Sequence, residues 1–284
     1  MKTLIVKMLG FYLDTLSILT PSRAARKGFL LFCRPFRVPT NSKQLAFFNS
    51  AEKFVIDHQG NTVQGYRWGN GPKKILFLHG WQSHTYRWKA YIEALPKNEY
   101  TLYSLDAPGH GLSSGNFLTV PLYSSLIENF ISQHSDVHTV VGHSLGGFSL
   151  LYTYYRVPEL PVERIVLLAP PGEASDFISV FQKTLGISSR TVKLVTDYFG
   201  KQYDVTPEFF SSRKFAAGLN VKGLIIHDEH DPEAPYQYSI PLQKVWAQSR
   251  LVTTKGLGHN LKSQSVVKEV VEFIEESVHQ GAFS

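Results

Sequence analysis

A serine stands between glycines at a point where a predicted strand gives way to a predicted helix. The segment TVVGHSLGGFSL covers residues 139–150, so Ser144 follows a β-branched run and precedes an apolar, helix-like run. G-x-S-x-G spacing leaves room for a sharp turn that holds the serine hydroxyl clear of a sheet. The segment therefore predicts a nucleophilic serine, and the alternative is a glycine-rich turn with a structural role only.

A serine hydroxyl is a poor nucleophile unless a neighbouring base takes its proton, and His259 is the histidine best placed to be that base. The base should lie in a loop after a late strand. Of the eleven histidines, His259 alone follows such a run, in RLVTTKGLGHNL. His79, His110 and His143 each sit inside another motif, where a turn or packing role is favoured. The pattern predicts His259 as the general base.

A carboxylate that orients this histidine should follow the predicted strand GLIIH. The segment HDEHDPEAP, residues 227–235, offers two candidates. Asp228 adjoins the end of the strand, and Asp231 lies three residues further on, ahead of Pro232. Spacing alone leaves both open.

The elements that must position these side chains alternate between strands and helices. The apolar strands lack strict in-out alternation, which is typical of a parallel sheet with helices on both faces. Strands are predicted in KFVIDHQGNTVQGYRWG (two, with a turn at Gly60-Asn61), KKILFLHGW, YTLYSLD, HTVVGHS, ERIVLLAPP, VKGLIIHD and SRLVTTKG; helices are predicted over 85–95, 120–133, 145–156, 236–248 and 264–279. The fold class is therefore α/β.

The alternation breaks between Gly172 and Ala217, which predicts a helical cap over 172–217. The core then comprises 51–171 and 218–284, and an arm precedes it over 1–50. Side chains of such a cap can line a substrate pocket, and the alternative is that they form the cap's own core. The cap contains eight aromatic residues: Phe177, Phe181, Tyr198, Phe199, Tyr203, Phe209, Phe210 and Phe215.

Several motifs resemble those of the α/β-hydrolase superfamily, over roughly residues 52–280. LHGW resembles its oxyanion loop, DAPGHGLS its D-x-P-G-x-G-x-S turn, HDEHDPEAP its H-G-x-x-D-x-x-x-P acid loop and GLGH its histidine loop. The order serine, acid, histidine is also that of the superfamily. The resemblance implies an α/β-hydrolase fold, with a mostly parallel central sheet, helices on both faces and a small helical cap insertion.

The resemblance also implies roles for particular residues. The acid-loop pattern assigns the acid to Asp231, and Asp228, which replaces the superfamily's glycine, would shape the loop. Backbone N–H groups of Leu145 and Trp81 would form the oxyanion hole. The side chains of Trp81, His143, Phe177 and Phe181 are candidates for the substrate pocket.

The predicted function is a serine hydrolase that cleaves carboxylic esters of small or moderately apolar substrates through an acyl-enzyme. Serine at position 144 excludes haloalkane dehalogenases and epoxide hydrolases, which place aspartate there, and dienelactone hydrolases, which place cysteine there. No cofactor or metal is implied. A thioesterase, a lactonase, a C–C hydrolase, an acyltransferase and a non-catalytic ligand-binding protein stay open as alternatives.

Basic residues are concentrated in the arm. The formal net charge is +6, yet residues 1–43 hold eight basic residues against Asp14 alone, so the rest of the chain is nearly neutral. A nucleic-acid-binding protein would carry its basic stripe on the folded body, so that class is disfavoured. The single cysteine, Cys33, favours a reducing compartment and hence a cytoplasmic location.

The first twenty residues predict one helix that Pro21 ends. Its polar residues form a single stripe, and apolar residues fill the rest of the surface. This helix could pack on the body or a second subunit, lie on an anionic lipid surface as a peripheral membrane contact, or act as a signal peptide. The sequence leaves the oligomeric state open. The stripe consists of Thr3, Lys7, Gly10, Asp14 and Ser17.

Overall fold

One eight-stranded sheet forms the centre of the protein in the computed structural model, which describes residues 2–276, with side chains from residue 4 onward. The strand order is β1-β2-β4-β3-β5-β6-β7-β8. β2 is antiparallel to both of its neighbours, β1 and β4. The remaining strands, β4-β3-β5-β6-β7-β8 in the order of the sheet, are parallel to one another. The strands are β1 (Glu52–His58), β2 (Asn61–Trp68), β3 (Lys73–Leu78), β4 (Tyr100–Leu105), β5 (Val137–His143), β6 (Arg164–Leu168), β7 (Lys222–Asp228) and β8 (Ser249–Thr254).

Helices precede β1 and connect the later strands. They are α1 (Lys2–Leu19), α2 (Pro21–Phe32), α3 (Ser42–Asn49), α4 (Lys89–Ala94), α5 (Val120–Gln133), α6 (Leu145–Arg156), α7 (Ala174–Leu185), α8 (Ser189–Tyr203), α9 (Ser212–Ala216), α10 (Ser239–Val245) and α11 (Gln264–Glu275). Short 3-10 turns precede α4, α9 and α10. This is the α/β-hydrolase fold class that the sequence predicts.

The core lies on both faces of the sheet, because successive side chains of a strand point to opposite sides. Leu76 and Leu78 of β3 pack in a cluster that includes α5 and α6. Ile75 and Phe77 of the same strand pack in a second cluster that includes α4 and α11. A strand buried in this way reads as a continuous apolar run, as β3 does.

Most predicted elements lie where the sequence places them, but several boundaries differ. The helix predicted over 236–248, for example, ends at Val245. The β1–β2 turn is formed by Gln59 and Gly60, with φ of 47° and 75°, and Asn61 already pairs with His58. Two positive φ angles are what a two-residue hairpin loop needs to match the twist of its strands. The predicted last helix ends at Glu275, and residues 277–279 lie outside the described part of the chain.

The arm contains more helix than the sequence predicts. Pro21 ends α1 and also occupies the first turn of α2, where its fixed φ and missing N–H cost nothing. α2 packs against α8 so closely that a Cβ on Gly28 would lie 2.4 Å from Val195 Cγ2. Within residues 2–276, no helix is both long and apolar enough to cross a membrane.

The segment predicted as a cap lies between β6 and β7 and contains α7, α8, a 3-10 turn and α9. Several of its aromatics pack against each other and against α6. The rings of Phe210 and Tyr152 lie 4.9 Å apart, and those of Phe215 and Tyr152 lie 5.1 Å apart. These side chains therefore fix the segment to the helix that begins directly after Ser144.

Candidate active site

Ser144 lies at a sharp turn between β5 and α6. Its φ of 50° and ψ of −123° are unusual for a residue with a side chain, and such backbone strain is concentrated at functional sites. The positions on either side, Gly142 and Gly146, have no room for a side chain. A Cβ on Gly142 would lie 2.6 Å from Gly147 Cα, and one on Gly146 would lie 2.4 Å from Leu78 O.

Gly146→Ala tests this packing. The new methyl group would meet backbone atoms of β3 that cannot rotate away, so we expect the free energy of unfolding to fall by about 1–3 kcal/mol. Gly200→Ala is the matched control, because Gly200 lies inside α8 and its added Cβ would meet only Val205 O at 3.9 Å. We expect that change to raise the free energy of unfolding by about 0.5–1 kcal/mol. Urea denaturation measures both, and equal stability of the two variants would contradict the packing argument.

Ser144, His259 and Asp231 form one chain of hydrogen bonds. Ser144 Oγ lies 3.0 Å from His259 Nε2, and His259 Nδ1 lies 2.8 Å from Asp231 Oδ2. Because the carboxylate accepts, His259 Nδ1–H is the donor, and the free lone pair of Nε2 then faces the serine hydroxyl. The histidine side chain is only 10% exposed. This arrangement can take a proton from Ser144.

The surroundings of Asp231 keep it ionised. Burial opposes its charge, but hydrogen bonds from His227 and His259 and from the N–H groups of Ala234 and Glu233 outweigh that penalty. The pKa of Asp231 is therefore held well below its usual range. A carboxylate that stays charged through neutral pH can stabilise a histidinium that forms beside it.

Asp228 has a different place in the structure, which brings Asp231 and not Asp228 to His259. The fully buried Asp228 carboxylate accepts hydrogen bonds from Thr254 Oγ1 at 2.9 Å and from Leu257 N at 2.8 Å. Burial would raise its pKa, but these bonds outweigh burial and lower it. Asp228 thus ties the end of β7 to the loop that carries His259.

His227 is a supporting residue that sequence reasoning missed. Its Nε2 lies 3.1 Å from Asp231 Oδ2 and 2.9 Å from Ala234 O, both of which are acceptors, so Nε2 carries the proton. Its Nδ1 lies 2.6 Å from Ser239 Oγ. The signal in the sequence was its place near the end of a buried strand, four residues before Asp231.

The loop after β3 lies against the serine. A Cβ on Gly80 would be 2.8 Å from Ser144 Cβ, so no larger residue fits there without a shift. The next residue is Trp81. Neither its N–H nor that of Leu145, at the start of α6, finds an acceptor within residues 2–276. Both predicted oxyanion donors are thus uncommitted, and Leu145 is at the start of a helix, where the first N–H groups have no partner inside the helix.

Two buried histidines fix the shape of this loop. Ala107 N donates to His79 Nε2 at 2.9 Å, and Gln82 N donates to His110 Nε2 at 3.0 Å. Burial lowers the pKa of each imidazole to about 3, so both are neutral and can accept. The second bond holds Gln82 at a φ of 50°. The structural role predicted for these two histidines fits their contacts.

His143 and Arg87 hold the loop of His259 in place. His143 is fully buried, and its Nε2 donates to the backbone carbonyl of His259 at 2.9 Å. Burial holds the pKa of His143 well below its usual range. Arg87 Nη2 donates to Asn260 O at 2.7 Å, and burial lowers the pKa of this arginine to about 10. Sequence reasoning missed Arg87, which lies 173 residues from its partner.

The predicted pocket side chains are not all near one another. The half-buried Trp81 packs edge-on against His110, with ring centroids 5.5 Å apart. Phe177 of α7 packs on Phe148 of α6, with centroids 5.9 Å apart, which places it beside the helix that follows Ser144. Phe181 instead packs on Phe32 of α2, with centroids 5.2 Å apart. Phe181 thus lies at the contact between cap and arm, where it fills a small apolar core.

Comparisons with known proteins give one consistent result. Residues 75–263 match the model of a family described as the alpha/beta hydrolase family. A serine hydrolase-like protein from Danio rerio is 30% identical over 149 residues, which is 47% of this chain and 44% of that protein. An esterase from Mycobacterium tuberculosis is 28% identical over 118 residues, which is 40% of this chain and 39% of that protein. The chain thus matches less than half the length of these curated relatives.

The fold is also similar to that of solved structures. A carboxylesterase from Bacillus subtilis superposes with a TM-score of 0.62 over 91% of this chain and 99% of that chain, at 14% identity. An esterase from Butyrivibrio proteoclasticus, solved with bound ferulic acid, has a TM-score of 0.61 over 78% of this chain and 96% of that chain, at 20% identity. At such low identity the likeness is one of fold alone.

Proposed function

The chain belongs to the alpha/beta hydrolase family, and from this premise we propose that it is a serine hydrolase that cleaves carboxylic esters. The observation that carries the proposal is the hydrogen-bonded chain from Ser144 through His259 to Asp231. The sequence match to an esterase from Mycobacterium tuberculosis supports the choice of an ester over other acyl compounds.

In the proposed reaction, Ser144 Oγ attacks the ester carbonyl carbon while its proton moves to His259 Nε2. The tetrahedral intermediate then collapses, the bond to the alcohol oxygen breaks, and the alcohol leaves with the proton from Nε2. Water attacks the resulting acyl-enzyme by the same route and releases a carboxylic acid. Asp231 holds the imidazole in the required tautomer and stabilises its positive charge.

The developing oxyanion would be bound by the N–H groups of Leu145 and Trp81. Their lack of other acceptors and the contact of Gly80 with Ser144 support this assignment. Donors that are fixed before the reaction need no reorganisation when charge develops, and one such donor is worth about 10²–10³-fold in turnover. His110 would contribute indirectly, because it holds the residue after Trp81.

The proposed substrates carry a small or moderately apolar group. Trp81 on the oxyanion loop and Phe177 beside α6 are the aromatic side chains that would contact it. The large aromatics further along the cap are engaged with α6 and with each other, which leaves fewer of them for a pocket.

A series of p-nitrophenyl esters from acetate to palmitate tests the proposal. We expect hydrolysis of the short and medium chains and a decline toward palmitate, because only two aromatic side chains, Trp81 and Phe177, are assigned to the apolar group of the substrate. A matched thioester series and added acceptor alcohols serve as comparisons. A rate on thioesters at least tenfold above that on the matching esters, or transfer to alcohol as the main outcome, would contradict ester hydrolysis as the principal activity.

A further inference from the structure

The first helix is attached to the cap through its polar side. The Asp14 carboxylate accepts hydrogen bonds from Ser188 N and Thr191 Oγ1, at 3.0 and 2.6 Å. Lys7 Nζ donates to Lys183 O at 3.1 Å. These contacts use the polar stripe that the sequence shows, so they fix which side of α1 faces the body. The side chain of Thr3, the first residue of that stripe, lies outside the described part.

The opposite side of α1 is apolar and exposed. At about 100° per residue, its exposed apolar residues cover a continuous arc of roughly 140°. Thr15 falls inside this arc, but its hydroxyl donates to Phe11 O at 2.9 Å and so is already satisfied. The exposed side chains are Leu4, Ile5, Met8, Phe11, Tyr12, Ile18 and Leu19. Phe11 is 75% exposed, and Ile18 is 69% exposed.

Such exposure is unusual in a protein that otherwise buries its apolar residues well. Of the sixteen large apolar side chains found exposed among the described residues, eleven lie within residues 4–45. Single exposed apolar residues are ordinary, but a contiguous patch of this kind marks an interaction surface. The patch is the outer face of a helix and not a groove.

Basic residues of α2 border this patch. Arg23, Arg26 and Lys27 are exposed and lie within an arc of about 100° on one side of α2. Lys27 Nζ donates to Tyr12 Oη at 2.6 Å, which joins the basic side of α2 to the apolar side of α1. Asp14 is the one acidic residue in 1–43, and its carboxylate is bound to the cap.

We propose that α1 and α2 dock the protein on the surface of an anionic phospholipid bilayer. The apolar face of α1 would enter the boundary between headgroups and acyl chains, and Arg23, Arg26 and Lys27 would contact the lipid phosphates. Docking of a second copy is disfavoured, because two such surfaces would bring like charges together. The bonds from α1 to the cap keep the helix, about 27 Å long, lying along the body.

Docking in this way would bring the cap close to the membrane. α1 contacts α7 and α8, and α7 also carries Phe177, which packs beside α6. An ester dissolved in the bilayer would then lie near the cap. This consequence depends on the proposed function, whereas the docking itself does not.

Vesicle co-sedimentation of the full chain tests the docking. The probes are vesicles of phosphatidylcholine alone and of an equal mixture of phosphatidylcholine and phosphatidylglycerol. Phe11→Ser with Ile18→Ser removes apolar contacts, and Arg23→Gln with Arg26→Gln removes charge. Val55→Ser with Ile240→Ser is the matched control, because these residues are exposed and lie outside the arm. Melting temperatures verify that each variant folds.

We expect the wild type and the control pair to sediment with the anionic vesicles. The Phe11→Ser, Ile18→Ser variant should bind at least about tenfold more weakly, since the binding strength of an interfacial helix scales with the apolar area that it buries. Raising the salt concentration from about 0.1 M to about 1 M shortens the Debye length from about 10 Å to about 3 Å and should weaken binding, less so for the arginine variant.

Three results would overturn the proposal. The first is a wild type that stays in the supernatant with both vesicle types. The second is equal sedimentation of the wild type and the Phe11→Ser, Ile18→Ser variant. The third is a wild-type dimer in light scattering that this variant dissociates while vesicles bind neither protein, which would assign the surface to a second copy. If the wild type binds the vesicles but hydrolyses no ester, the result would count against the proposed function alone.

Discussion

Ser144→Ala is expected to lower kcat for a short-chain p-nitrophenyl ester by at least about 10⁴-fold, because no other group can form the acyl-enzyme. KM should change little, since the hydroxyl contributes to the transition state and not to ground-state binding. Steady-state kinetics on purified wild type and variant measure both constants. The fold should be unaffected, because alanine only removes one oxygen from a half-buried site.

Ser149→Ala is the matched control for this variant. Ser149 lies on α6, five residues after Ser144, and its buried hydroxyl has no hydrogen-bond partner among the described residues. Its loss should leave kcat within about twofold. If Ser144→Ala kept more than a tenth of the wild-type kcat, the serine would be only part of a turn.

Asp231→Asn is expected to lower kcat by about 10⁴-fold, the size of effect that the same change has in a serine protease triad. The amide would present an N–H group or a neutral oxygen to His259 Nδ1, so the imidazole would lose both its fixed tautomer and the charge that stabilises its protonated form. The carboxylate accepts from two histidines and two backbone N–H groups, so we also expect some loss of stability.

Asp228→Asn makes the same chemical change three residues away and separates the two roles. Asp228 does not touch His259, so kcat should fall by less than about tenfold. Its buried carboxylate accepts hydrogen bonds from Thr254 and Leu257. The neutral amide of asparagine accepts these bonds more weakly, which should lower the free energy of unfolding by about 1–3 kcal/mol. A larger loss of kcat in Asp228→Asn than in Asp231→Asn would reverse the assignment of the acid.

The parts of the fold that the sequence predicts well are those in which local pattern and tertiary packing agree. α5 begins and ends where its apolar periodicity predicts, at Val120 and Gln133. β3 and β5 read as apolar runs because they are buried on both faces. The turn at Ser144 is recognisable because glycine is required on both sides of the serine, by contact with Gly147 in the same turn for Gly142 and with Leu78 of β3 for Gly146.

The parts that were missed depend on contacts between distant residues. α2 has a narrow buried side made of small residues such as Ala24, Ala25 and Gly28, which carries little helical signal without α8 beside it. For α1, periodicity predicted the helix but left open whether its apolar side is buried or exposed. Arg87 acts on a loop that is remote in sequence, so spacing gave no sign of it.

Labelling with a fluorophosphonate probe, followed by mass spectrometry of the modified peptide, tests the central claim most directly, because the probe reacts only with a serine that a neighbouring base activates. We predict a single adduct on Ser144, absent from Ser144→Ala and formed at least about a hundredfold more slowly in His259→Ala. No labelling of the folded wild type, or an adduct on another residue that persists in Ser144→Ala, would contradict the account.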